Sequence, residues 1–282
     1  DLSSLRLLGS GRAGPAGVPS GGPPACWQDG RVSARFEELG WRDTPMGEIS
    51  LRRRLDPLVG RDVYEVKLGD EFLMSSLVTV AEEELARLGL AAVTAKAGGA
   101  EAGLDVVVGG LGLGYTARTV LEDSRVGSLV VVDALGEVIT WHREGLLPFA
   151  GALITDPRCR LVHGDFFALT AGPGEGGSAD AGGYDPEQPG RQWHAILLDV
   201  DHSPRNLLHE RHAPFYTAAG LRQLSAHLLP GGVFALWSDD APDDDFLAAL
   251  REVFATARAE VVTFDSPFHD GTSANTVYVA SL

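Results

Sequence analysis

The stretch Leu104-Asp105-Val106-Val107-Val108-Gly109-Gly110-Leu111-Gly112-Leu113-Gly114-Tyr115 decides the fold. Asp105–Val108 is a short apolar run with the β-branched residues of a buried strand, and Tyr115–Leu121 has helical spacing. The glycines between them let the backbone turn sharply and come close to a ligand, and the helix that follows offers unpaired N–H groups at its first turn. A strand, a glycine-rich turn and a helix in that order form the opening unit of a doubly wound α/β fold. A tight turn without any ligand is the plain alternative.

Outward from this unit, apolar runs alternate with helical stretches, as they do in βαβ units with a parallel sheet. Strands are predicted at Asp105–Val108, Ser128–Val132, Cys159–His163, Ala195–Asp199 and Val233–Ser238. Helices are predicted at Tyr115–Leu121, Gly136–Glu144, Ala213–Leu229 and Asp244–Thr256. Glu260–Phe264 and Thr276–Ala280 close the chain with no helix between them, which predicts antiparallel neighbours. That ending suits the sheet of S-adenosylmethionine-dependent enzymes better than a plain dinucleotide fold.

Upstream, Glu48–Arg54 and Asp62–Leu68 alternate partially and are separated by Asp56-Pro57 and Gly60, so two or three strands of a small antiparallel unit are expected. Val80–Leu90 reads as an amphipathic helix, with Glu82, Glu83 and Glu84 in the first turn where the helix dipole favours acids. The organisation is then a disordered tail over 1–40, a small β unit over 41–80 and a nucleotide-binding domain over 81–282. Gly, Pro and Ser dominate Ser10–Pro24, and such a composition buries too little apolar area to offset chain entropy. The Gly-rich segment Ala171–Arg191 is expected to be a flexible surface insertion.

With 282 residues and 44% apolar content the chain can bury a large core, and no run approaches the roughly 20 apolar residues of a membrane span. No membrane partner is expected. A formal charge of −16 disfavours nucleic acid and favours cationic or neutral substrates. Two cysteines, Cys26 and Cys159, make neither a disulfide framework nor a thiolate metal site, and point to the reducing cytoplasm. Residues 1–25 lack the apolar stretch of a secretory signal and carry Arg6 and Arg12, which fits a transit peptide or a disordered tail.

Gly112-x-Gly114-x-x-Ala117 also satisfies a dinucleotide fingerprint, which keeps a nicotinamide or flavin enzyme in view. Asp133 ends a strand about 20 residues further on, where an acid accepts ribose hydroxyls. Gly164-Asp165-Phe166 follows the next strand; Asp165 can accept the exocyclic amino group of adenine while Phe166 packs on the ring. Dinucleotide enzymes need no acid there, so Asp165 tips the balance toward a sulfonium nucleotide. Asp199 and Asp201 lie at the end of the fourth strand, the edge at which ligands bind in open α/β sheets. Asp199 ends an apolar strand, and desolvation there would raise its pKa and make it a proton acceptor. His202, His209 and His212 are read as loop residues, with no metal expected, and the Asp239–Asp245 acids as solvation and caps for the following helix. Phe215 and Tyr216 are read first as core residues.

These motifs, in this order and spacing from about Pro45 to Leu282, resemble the spermidine synthase (polyamine aminopropyltransferase) family of the S-adenosylmethionine-dependent methyltransferase fold. The matching positions are Gly109, Gly110, Gly112 and Gly114, Asp133, Gly164-Asp165, and Asp199 through Pro204, with Phe215-Tyr216 and Leu228-Leu229-Pro230-Gly231-Gly232 before the fifth strand. The resemblance implies a transferase that takes S-adenosylmethionine or its decarboxylated form as co-substrate and a small-molecule amine as acceptor, without metal. A homodimer is expected. In that reading Asp199 takes the amine's proton, Asp201 holds its distal charge and Tyr216 steers it.

Two departures stand out. The family's glycine loop carries an Asp that holds the amino group of the aminopropyl arm, and Gly112 occupies that place. The family's Tyr-His-Glu stretch is not recognisable near Ser75 to Glu84. Gly112 therefore predicts less discrimination in favour of the decarboxylated donor, and leaves open methyl or aminocarboxypropyl transfer from the intact donor, or nucleotide binding without catalysis.

Overall fold

The computed structural model describes residues 36–44, 47–94, 103–172, 183–267 and 270–282. Its first unit is an antiparallel meander of β1 (Phe36–Thr44), β2 (Gly47–Asp56), β3 (Arg61–Leu68) and β4 (Glu71–Ser75). One face of it, Ile49, Leu51 and Val66, joins the main hydrophobic core, so the meander packs as a wall on the larger sheet domain. Gly40 makes this contact close: a Cβ there would collide with the Trp141 indole.

Helix α1 (Val80–Ala92) leads into β5 (Leu104–Gly109), α2 (Tyr115–Glu122), β6 (Val126–Asp133), α3 (Gly136–Arg143), α4 (Ala150–Thr155), β7 (Cys159–His163) and α5 (Phe166–Ala171). Next come β8 (Trp193–Leu198), a 3₁₀ helix (Glu210–Tyr216), α6 (Ala218–Ser225), β9 (Leu228–Ser238), α7 (Asp244–Arg251), β10 (Thr256–Asp265) and β11 (Thr272–Ser281). The second sheet has the order β10-β11-β9-β8-β5-β6-β7, with β11 antiparallel to both neighbours and β5 to β9 parallel. This is the doubly wound, mostly parallel sheet with an antiparallel ending that the sequence predicts, preceded by a small antiparallel β unit.

Burial on both faces explains the unbroken apolar runs. Val106, Val108, Leu129, Val131 and Leu197 pack with α1 to α4 on one face. Their sequence neighbours Val107, Val130, Val132, Ile196 and Leu198 pack with α6 and α7 on the other. Each such side chain is worth about 1.5–3 kcal/mol when buried. Helix α1 lies tight on the sheet through Gly89, where a Cβ would come within 2.5 Å of Leu197. Among the described residues no helix is long and apolar enough to cross a membrane.

The structure corrects several expectations. Strand β1 begins at Phe36, inside the predicted tail, because it pairs along its length with β2; the rest of the tail lies outside the described residues. The meander has four strands, not two or three. Part of the predicted insertion, 173–182, is outside the described residues, but its end is fixed. Tyr184 is fully buried, stacks on Phe166 with centroids 4.9 Å apart and meets the Thr170 hydroxyl at 2.7 Å. Asp185 is held by Arg160 and Arg191, and Arg191 also pairs with Asp105. The single helix expected over Ala213–Leu229 is divided, since Thr217 caps a new helix through the Gly220 amide after the 3₁₀ turn at Pro214, and Leu228 already belongs to β9.

Candidate functional site

Strands β6 and β7 lie on one side of β5 and β8 on the other, so the chain reverses direction across β5/β8 and opens a crevice at their carboxyl ends. A cavity of about 490 Å³ fills this crevice and is closed from above by β2, β4 and α1. Its size falls in the usual range for small-ligand sites.

The glycine loop forms the floor. Gly110 adopts φ +94°, and a Cβ on it would collide with the carbonyl oxygen of Asp199, so only glycine lets the two strand ends meet. Gly112 adopts φ +48°, and a Cβ there would sit 3.1 Å from the Met74 sulfur of β4. Asp133 clamps this loop: Oδ2 accepts from the Leu111 amide at 2.8 Å and Oδ1 from the Leu135 amide at 2.7 Å. Burial raises its pKa, against the pull of these amides in the other direction. Asp133 lines the cavity where the sequence places it, as do Gly110, Gly112, Asp165, Phe166 and Asp199.

Asp165 is also a helix cap. Its Oδ1 accepts from the Phe167 and Ala168 amides at 3.0 and 3.2 Å, while Oδ2 lies 3.2 Å from Arg211. Phe166 is held mainly by the core, between Gly109 and Tyr184. Phe167, which the sequence does not single out, stacks on His212 at 3.9 Å, and both line the cavity.

Asp199 points into the cavity, and its Oδ2 accepts the Thr116 hydroxyl at 3.0 Å. Burial pushes its pKa up to about 6, the direction expected for a carboxyl at the end of an apolar strand. Asp201 and Tyr216 are placed differently from expectation. Asp201 is 1% exposed and its oxygens accept from the Leu208 amide, from His212 Nδ1 and from the Tyr216 hydroxyl, the last at 2.8 Å. Neither Asp201 nor Tyr216 lines the cavity. The acid two residues along the chain has turned into the protein, where it ties the loop after β8 to the 3₁₀ helix. The polar atoms of Asp201 and Tyr216 thus engage each other and the loop rather than the cavity.

Charged side chains from other elements also line the cavity. Asp239, after β9, accepts from Asn275 Nδ2 at 2.7 Å and faces the cavity instead of capping α7; the cap is Asp243, which accepts from the Asp245 and Phe246 amides. Arg52 and Arg54 of β2 both pair with Glu65 of β3 at the rim. Glu82 of α1 enters the cavity, and burial beside Asp199 pushes its pKa up to about 8. The only sequence signal for Glu82 is its place in a helix first turn, which explains it without a ligand.

No protein-family model matches the chain. Polyamine aminopropyltransferase 2 of Pseudomonas aeruginosa is 30% identical over an alignment of 172 residues that covers 57% of this chain and 43% of that protein. The chain thus spans less than half the length of this curated relative. The structure of the spermidine synthase from Thermotoga maritima superposes with a TM-score of 0.60 at 17% identity, covering 86% of this chain and 72% of that one. A spermidine synthase in complex with the transition-state analogue AdoDATO gives a TM-score of 0.59 at 17% identity, with the same coverage. The chain is thus similar to a polyamine aminopropyltransferase over part of its sequence and to spermidine synthases in its fold.

Proposed function

We propose that the chain binds an S-adenosylmethionine-type sulfonium nucleotide and transfers its aminopropyl group to a small-molecule amine. The observation that carries this reading is Asp199: a carboxylate with a raised pKa in the same cavity as the glycine loop and Asp133. The similarity to a polyamine aminopropyltransferase and the spermidine synthase fold support it over methyl or aminocarboxypropyl transfer. The cavity suits the nucleotide chemically. The floor presents side-chain-free backbone at Gly110 and Gly112, Asp133 retains lone pairs for ribose hydroxyls beyond its two amide bonds, and Asp165 in the same lining can accept from the adenine amino group.

The donor supplies an electrophilic carbon and a neutral thioether leaving group, so the protein has neither to protonate the departing sulfur nor to polarise it. What the protein must do is free the nucleophile, since an alkylamine near neutral pH is protonated, like lysine with its pKa of about 10.4. Asp199 accepts that proton and orients the lone pair along the carbon–sulfur axis, and Thr116 fixes the carboxylate through its hydroxyl. Trp237 and Phe264 offer apolar walls for an alkyl chain, and Asp239 an anionic end. The same reading has the protein act in the cytoplasm as a homodimer, on amines rather than on nucleic acid or membranes. Calorimetric titration with methylthioadenosine and NAD tests the nucleotide class: methylthioadenosine should bind at micromolar concentrations and NAD should not. Binding of NAD alone would return the chain to the dinucleotide enzymes.

A further inference from the structure

Resting on that reading, we propose that Glu82 of α1 is the acid that receives the terminal ammonium of the donor's aminopropyl arm, in the place left without a carboxylate by Gly112. Three successive glutamates open α1, and the structure separates them. Glu83 and Glu84 both pair with Arg87, at 2.8 and 2.9 Å, on the solvent side. Glu82 turns the other way into the cavity. Apart from its own amide, no ion pair or side-chain hydrogen bond engages its carboxylate among the described residues.

Its position follows from how α1 sits over the loop. The Thr116 hydroxyl, two residues after Gly114, lies 3.3 Å from the Glu82 carbonyl and 3.0 Å from the Asp199 carboxylate, so one side chain ties α1, the start of α2 and the end of β8 together. Glu82 thus lines, from α1, the same cavity that Gly112 lines from the glycine loop, where an acid would stand beside Met74. A buried, unpaired carboxylate next to other acids is costly unless a cation joins it.

Proton occupancy fits that role. Burial raises the Glu82 pKa to about 8, and Asp199, Glu83 and Asp239 add to the rise. Tyr115 of α2 feels its charge as well. With no cation bound, Glu82 is mostly protonated at pH 7, which relieves repulsion with Asp199. An incoming ammonium displaces that proton and forms a charge-assisted bond. No covalent bond to carbon or sulfur changes; the released proton goes to solvent.

Three thioether ligands isolate the arm, because all lack the sulfonium charge: methylthioadenosine has no arm, S-adenosyl-3-thiopropylamine carries the ammonium, and S-adenosylhomocysteine adds a carboxylate. Wild type should bind the thiopropylamine at least about ten times tighter than S-adenosylhomocysteine, and Glu82→Gln should bring the two within about threefold while methylthioadenosine is unaffected. A preference that survives Glu82→Gln would overturn the assignment. Calorimetry of the wild type in buffers of different ionisation enthalpy needs no variant: close to one proton should leave on binding the thiopropylamine at pH 7 and none on binding methylthioadenosine. Equal proton release with both ligands, or none with either, contradicts the proposal. If methylthioadenosine itself does not bind to wild type, the nucleotide reading fails first and takes this inference with it.

Discussion

The two walls of the cavity are built by different rules. The wall at the carboxyl ends of β5, β6, β7 and β8 presents acids whose oxygens are fixed by nearby amides or hydroxyls: Asp133 by Leu111 and Leu135, Asp165 by Phe167 and Ala168, Asp199 by Thr116. The facing wall, from β2, β4 and α1, presents Met74, Glu82 and the arginines at Glu65, which reach the cavity through the way whole elements pack. The first wall is set by local chain geometry and is the kind of structure a motif records. The second is set by tertiary placement, which brings Met74 of β4 beside Gly112 of the first wall and Glu82 of α1 into the same cavity.

If the first wall carries the chemistry, Asp199→Asn should lower turnover by about 10²–10⁴-fold with methylthioadenosine affinity preserved. In the wild type, kcat/KM should fall as pH drops through about 6, because the base must be unprotonated. A flat profile between pH 5 and 7 would remove Asp199 from that role. Gly110→Ala attacks the same wall through its backbone. A left-handed residue and a collision with the Asp199 carbonyl should cost about 2–4 kcal/mol, read in thermal or urea unfolding. A loss below about 0.5 kcal/mol, the level of an ordinary surface substitution, would mean that the loop yields where the geometry forbids it.

The facing wall should respond with the opposite sign. Native Glu82 holds its proton up to a pH of about 8, while the unfolded chain releases it near 4.5. The native state therefore binds more protons in that window, and stability falls as pH rises through it. Glu82→Gln should stabilise the ligand-free protein at pH 8 by about 1–3 kcal/mol, with the gain gone below a pH of about 4. Destabilisation at pH 8 would show a carboxylate that is already satisfied.

Asp199 and Asp201 sharpen the comparison within one loop. Tyr216→Phe strips a donor from buried Asp201 and should cost about 1–2 kcal/mol of stability while turnover changes by less than about threefold. A large loss of turnover without loss of stability would return Tyr216 to the chemistry.

The first wall is largely legible in the chain. Asp105–Val108 with its glycines and the run at Ser128–Val132 read as strands because burial on both faces keeps their centres apolar, the edge strand Cys159–His163 shows only a short apolar centre at Leu161-Val162, and Asp133, Asp165 and Asp199 lie at strand ends as their positions require. Asp201 escapes such a reading because sequence does not reveal which way a loop acid turns; only the His212 and Tyr216 partners, 11 and 15 residues on, decide it. Tyr184 is concealed in a glycine-rich segment whose composition outweighs one aromatic anchor. Glu82 is hidden by a sufficient local explanation, the helix dipole, that applies equally to Glu83 beside it in the first turn.

The central claim is tested most directly by incubating the protein with decarboxylated S-adenosylmethionine and a terminal diamine and following both products by mass spectrometry. The account predicts methylthioadenosine and the aminopropylated amine in equal amounts, formed over many turnovers by wild type and at a rate lower by about 10²-fold or more by Asp199→Asn. Tight binding of the donor with neither product formed would contradict it, and would leave a nucleotide-binding protein that does not transfer.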